Sequence, residues 1–128
     1  MSNIILIGSM GAGKTTNGKW LAKQLGKKFI DLDHQIEQKS GATITQIFEF
    51  DGEPGFRIRE SAALAEALSE ENQVIATGGG AVLAKQNREL MKQRGIIIFL
   101  NIHRSALHFA FQHTKTAFSE NLGLSEFR

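Results

Sequence analysis

Four short apolar runs punctuate the chain, at residues 4–7, 29–32, 74–76 and 96–100. Each is too short for a helix and is bounded by glycine or polar residues, so all four predict buried strands. Between them, residues 14–25, with apolar Trp20, Leu21 and Leu25, predict a helix, as do residues 55–68, with Ala62, Leu64, Ala65 and Leu68, and residues 85–94. Strands alternating with helices imply parallel strands joined by crossovers. Residues 33–51 read as a helical insertion that begins at Ile36, breaks at Ser40-Gly41 and restarts at Thr43-Ile44-Thr45-Gln46, a capping box before Ile47, Phe48 and Phe50. Asp51-Gly52-Glu53-Pro54-Gly55 is the clearest turn. Beyond residue 100 the pattern weakens, with one candidate helix at 105–113.

Composition fits this picture and narrows the function classes. A chain of 128 residues is expected to make one domain, and 41% hydrophobic with 22% charged residues describes a globular protein. The net charge of +2 is mild and no basic block runs long enough for a nucleic-acid footprint. With no cysteine, disulfides and thiolate zinc sites are excluded, which suits a reducing compartment. Met1-Ser2-Asn3 leads straight into an apolar strand without a basic leader, and no stretch approaches the roughly 18 residues of a membrane span. The expectation is a cytoplasmic monomer that binds neither nucleic acid nor membrane. His34, His103, His108 and His113 have no metal-ligand spacing.

The strongest chemical signal is Gly8-Ser9-Met10-Gly11-Ala12-Gly13-Lys14-Thr15, a phosphate-binding loop between a strand and a helix. Glycines bring consecutive N–H groups of Gly11, Ala12, Gly13, Lys14, Thr15 and Thr16 towards phosphate oxygens, and the helix N-terminus favours the anion. In such a loop the lysine, here Lys14, neutralises the β and γ phosphates of ATP, and the hydroxyl of Thr15 is a ligand for Mg²⁺.

Three further features fall where a parallel sheet presents ligand-binding groups. Asp31 and Asp33 end the second strand, Arg57 starts a helix with Glu60 three residues on, and Thr77-Gly78-Gly79-Gly80 ends the third strand. Read singly, each has a plain alternative: a strand-end turn whose second aspartate caps a helix, a surface ion pair, a flexible connection. Phe48, Phe50 and Phe56 read as core or pocket wall, and Trp20 as core.

In this order and spacing, from about Asn3 to Asn101, the phosphate loop, the Asp-x-Asp strand end, Gly52-Glu53-Pro54-Gly55-Phe56-Arg57 with Glu60, and the triple glycine resemble the shikimate kinase family. The resemblance implies a three-layer α/β/α fold with a central parallel sheet, in which residues 33–61 form a shikimate-binding insertion. It implies transfer of the γ-phosphoryl group of ATP to the 3-hydroxyl of shikimate, with Mg²⁺ held by Thr15 and, through water, by Asp31. Asp33 would bind the hydroxyls and act as base, Arg57 would clamp the substrate carboxylate, Glu60 would hold that arginine, and Gly78, Gly79 and Gly80 would approach the substrate closely. Lys14, Asp33 and Arg57 are the catalytic candidates. The alternatives are a non-catalytic ATP- and Mg²⁺-binding remnant and another small-metabolite kinase.

The likeness falters after Lys115, where Thr116-Ala117-Phe118-Ser119 stands in place of the family's Arg-Pro lid. Residues 103–128 therefore read as divergent, by a displaced frame or a truncation, without the family's last strand and helix. The expected consequences are lowered stability, turnover weaker than phosphate binding, and apolar surface exposed at residues 96–100.

Overall fold

The computed structural model of the chain describes residues 2–8 and 13–100. Within them run β1 (Asn3–Ile7), α1 (Lys14–Leu25), β2 (Lys28–Asp31), α2 (Leu32–Ser40), α3 (Ile44–Leu68), β3 (Gln73–Ala76), a 3-10 turn (Ala81–Leu83), α4 (Lys85–Arg94) and β4 (Gly95–Phe99). The strands form one parallel sheet in the order β2-β3-β1-β4. β1 lies inside it, with Ile5 level with Ile75 on one side and Ile97 on the other. A parallel strand covered on both faces must be apolar throughout, and every residue of β1 is buried.

Strand alternation divides the core. Ile5 and Ile7 face a cluster built with Ile36, Leu64 and Met91 of α2, α3 and α4. Ile4 and Leu6 face the opposite way, onto Leu21 and Ala22 of α1, with Trp20 partly buried at the margin. The result is the expected three-layer α/β/α arrangement.

Several element boundaries differ from the sequence reading. β2 stops at Asp31, and Leu32, expected in the strand, opens α2 four residues before Ile36. The cause is Asp31 itself: its backbone stays extended (φ −100°, ψ 111°) while its side chain accepts from His34 N at 3.4 Å. The helix cap is therefore the first aspartate, and Asp33 lies in the first helical turn. The capping box forms as expected, Gln46 N donating to Thr43 Oγ1 at 3.1 Å and Thr43 N to Gln46 Oε1 at 2.9 Å.

The turn expected at residues 51–55 is a kink, not a connection. α3 runs through it, broken by Gly52 at φ 69°, ψ 178°. Pro54 falls in the first turn after the break, where its missing N–H costs nothing.

Phe56 is buried, with Phe48 stacked on it at a centroid distance of 4.7 Å, but Phe50 is 84% exposed and belongs to neither core nor pocket wall. The apolar exposure expected at residues 96–100 reduces largely to Phe99, since Ile97, Ile98 and Leu100 are buried. Leu100 N still donates to Ile7 O at 2.8 Å, which carries the ladder one residue past β4. The candidate helix at 105–113 and the divergent segment 103–128 lie outside the described residues.

Candidate active site

The C-terminal ends of β2 and β3 and the start of α1 open onto a cavity of about 320 Å³, lined by Gly13, Lys14, Thr15, Thr16, Asp31, Asp33, Ala76, Thr77, Gly78 and Gly79. The loop residues and the Asp-x-Asp strand end, read separately along the chain, thus share one hollow with the start of the glycine run. Gly11 and Ala12 lie outside the described residues.

On the loop side, Gly8 and Gly13 take positive φ, 149° and 81°. Gly8 has a second reason to be glycine: a Cβ there would sit 1.9 Å from the carbonyl oxygen of Leu100. Gly13 precedes α1 without a side chain to cap it, and the first turn of α1 holds no acidic residue. The start of α1, with its positive end, therefore borders the cavity, a placement that favours an anion. Lys14 Nζ donates to Gly8 O at 2.7 Å, which folds the side chain back along the loop. Burial lowers the Lys14 pKa, and the carboxylates of Asp33 and Asp31 partly offset this. Thr15 Oγ1 donates to Asp31 Oδ2 at 3.2 Å. Hydroxyl and carboxylate thus converge beside the loop. Such a pair fits Mg²⁺, which keeps most of its water and takes one or two protein ligands besides phosphate oxygens.

Across the cavity, Asp33 is half-buried, and its Oδ1 has no hydrogen-bond partner among the described residues. Burial raises its pKa, the Asp31 carboxylate adds to the rise, and Lys14 and Arg57 pull against it. Glu60, 1% exposed, accepts from Arg57 Nη1 at 2.9 Å through Oε1, while its Oε2 is likewise unpartnered among the described residues. Burial raises the Glu60 pKa despite the arginine, with Asp33 adding to it. At Arg57 burial opposes the charge, but Glu60 and Glu53 outweigh it and the pKa is raised.

The glycine run is shaped by these groups. A Cβ on Gly78 would lie 3.0 Å from Asp33 Oδ1 and 3.4 Å from Glu60 Oε2, so both unpartnered oxygens border the same small residue. A Cβ on Gly80 would come within 2.3 Å of Arg57 Nη2. Both glycines are close-approach positions, which argues against a merely flexible connection. Arg57, with its buried partner, is also more than a surface ion pair.

Sequence reasoning gave no role to three contributors, two of which stand inside motifs it quoted. Glu53 accepts from Arg57 Nε at 3.3 Å and Nη2 at 3.2 Å; its i, i+4 spacing from Arg57 was the available signal. Thr77 is buried and donates to Leu6 O through both its amide, at 3.1 Å, and its hydroxyl, at 2.9 Å. Glu37 Oε2 accepts from Ile44 N at 2.9 Å, tying α2 to the start of α3. Neither of the last two carries a local sequence signature, because the partner in each case comes from another element.

The family model for shikimate kinase matches residues 10–121, extending the likeness past Asn101. A curated shikimate kinase of Acinetobacter baumannii is 56% identical over 100 residues, covering 78% of this chain and 56% of that protein. One from Bordetella avium is 50% identical over 111 residues, covering 87% of this chain and 52% of the relative. The chain therefore spans about half the length of the curated relatives it matches. A solved structure of Acinetobacter baumannii shikimate kinase in complex with shikimate superposes with a TM-score of 0.77 at 56% identity, over 78% of this chain and 56% of that one.

Proposed function

The chain belongs to the shikimate kinase family, and on that premise we propose that it carries the phosphoryl-transfer site of a shikimate kinase, moving the γ-phosphoryl group of ATP to the 3-hydroxyl of shikimate. The observation that carries this reading is the single cavity bordered by the loop residues Gly13 to Thr16 on one side and by Asp33 and Gly78 on the other. Phosphoryl transfer is mostly positioning and charge neutralisation, and a hollow with an anion-binding half and a hydroxyl-binding half answers both needs.

In this reading the loop amides, with those of Gly11 and Ala12, and the start of α1 hold the phosphates, while Lys14 swings from Gly8 O to the bridging charge. Thr15 and Asp31 hold Mg²⁺, which when bound shields the phosphate charge. Asp33 receives the acceptor hydroxyl: the residue lines the cavity, and its raised pKa brings it closer to the range of a useful base. Arg57 binds the acceptor carboxylate as a planar fork, which a lysine cannot do. Glu60 fixes the guanidinium, and Gly78, Gly79 and Gly80 let the backbone lie against the acceptor. Residues 33–61 form the acceptor-binding insertion. No described helix is long and apolar enough to cross a membrane, and a cytoplasmic enzyme acting as a monomer suits the reading.

The test is ADP release by the purified chain, measured with both ATP and shikimate, then with either omitted. Turnover is expected to need both and to be lost in Lys14→Met. A second reading, an ATP-binding remnant without transfer, draws on the segment 116–119, where the family's lid arginine has no counterpart. Nucleotide binding without shikimate-dependent ADP release would favour it.

A further inference from the structure

The Arg57 side chain is 29% exposed, and its guanidinium has close neighbours on several sides. The Phe56 ring centroid lies 5.2 Å from its central carbon, Gly80 packs so close that a Cβ there would meet the guanidinium, and the buried Glu60 holds Nη1. The donors that Glu60 leaves for a ligand are Nε and Nη2. In this structure both are taken by Glu53, whose single oxygen Oε2 accepts from Nε at 3.3 Å and from Nη2 at 3.2 Å.

Two features mark the Glu53 contact as exchangeable. One oxygen is shared between two donors, at distances longer than the 2.7–2.9 Å typical of charge-assisted bonds, so the two-oxygen fork that makes arginine–carboxylate pairs strong is not formed. Glu53 is also 59% exposed, against 1% for Glu60, and it directly follows the kink at Gly52. Its side chain can therefore leave into water at little cost, whereas Glu60 cannot.

We propose that Glu53 is a built-in competitor for the carboxylate of the acceptor: it occupies the ligand-binding side of Arg57 in the free protein and is displaced when the acceptor's carboxylate arrives with two oxygens. This rests on the reading of Arg57 as the acceptor clamp. Glu53 thereby sets a threshold for occupancy. A ligand without a properly placed carboxylate gains nothing by evicting it, so the residue acts on specificity as well as affinity. It is a positioning residue, acting through Arg57.

The experiment is calorimetric titration of shikimate and of its methyl ester into the wild-type chain, Glu53→Gln and Glu53→Ala, with KM and kcat measured alongside. An exposed ion pair is worth little, so removing the competitor is expected to tighten shikimate binding only about two- to fivefold. KM should fall with little change in kcat. The gain should disappear for the methyl ester, which a purely structural effect of the substitution would not distinguish from the acid. Weaker or unchanged shikimate binding in both variants, with wild-type binding intact, overturns the proposal and leaves the clamp reading standing. No shikimate binding by the wild-type chain removes both. Equal gains for acid and ester also overturn the proposal, since the effect would then not pass through the carboxylate.

Discussion

At the scale of single residues, the site is held in a state that folding alone would not choose. Among the described residues Asp33 has an oxygen without a partner, and its pKa is raised first of all by burial. For a carboxylate with a raised folded-state value the sign is definite: no cost arises where the group is protonated in both states, and stability is lost as pH rises through the folded value. Asp33→Asn is therefore expected to stabilise the chain at neutral pH by less than about 1 kcal/mol, because partial exposure screens the charge, while removing transfer. The advantage should vanish in acid below the ordinary carboxylate value of 3.8, and thermal unfolding of both forms across pH checks it. The glycines offer a second test. A methyl group on Gly80 would press on the Arg57 guanidinium, whereas one on Gly78 would meet Asp33 and Glu60 at the longer distances of 3.0 and 3.4 Å. Gly80→Ala is expected to raise the KM for shikimate by about tenfold or more, and Gly78→Ala by less, because displacing a clamp costs orientation as well as contact. Steady-state kinetics that ranked the two alike would count against the close-approach account.

Among the elements, the strands and helices were legible wherever pattern and local chemistry agreed. The run of isoleucines and leucine in β1 could only be a buried strand, and Thr43 with Gln46 announced the start of α3 through a bond made within four residues. Boundaries failed where two local signals competed. Leu32 continues the apolar run of β2, yet Asp31 caps a helix ahead of it; Gly52 and Pro54 look like a connection, yet they make a kink inside α3. The exit of β4 depends on a contact that no local pattern reveals. Gly8 passes so close to Leu100 that a Cβ would meet backbone, which unlike a side chain cannot step aside. Gly8→Ala is expected to cost about 2–4 kcal/mol, from strain at a positive φ and from loss of the Leu100–Ile7 bond. The urea midpoint measures it, and an unchanged midpoint would mean that the chain after β4 shifts freely.

Over the whole molecule, the layer architecture and the two halves of the site could be read from the order of motifs, since a parallel sheet delivers strand ends to one edge. What could not be read was how the halves are joined. Asp33, the Arg57–Glu60 pair and Gly78 become neighbours only through the packing of α2 and α3 beside β3, and sequence separation conceals that. The join itself is small. The carbonyl oxygen of Leu6 receives two bonds from Thr77, and the chain enters the loop at Gly8 just beyond the one and reaches Gly78 just beyond the other. One oxygen atom therefore works as the common datum of a jig, from which both workpieces are measured. The gap across which a phosphoryl group would travel is set when the sheet forms, so the protein groups on its two sides are ordered once, during folding, and each turnover has only the ligands' own freedom left to lose.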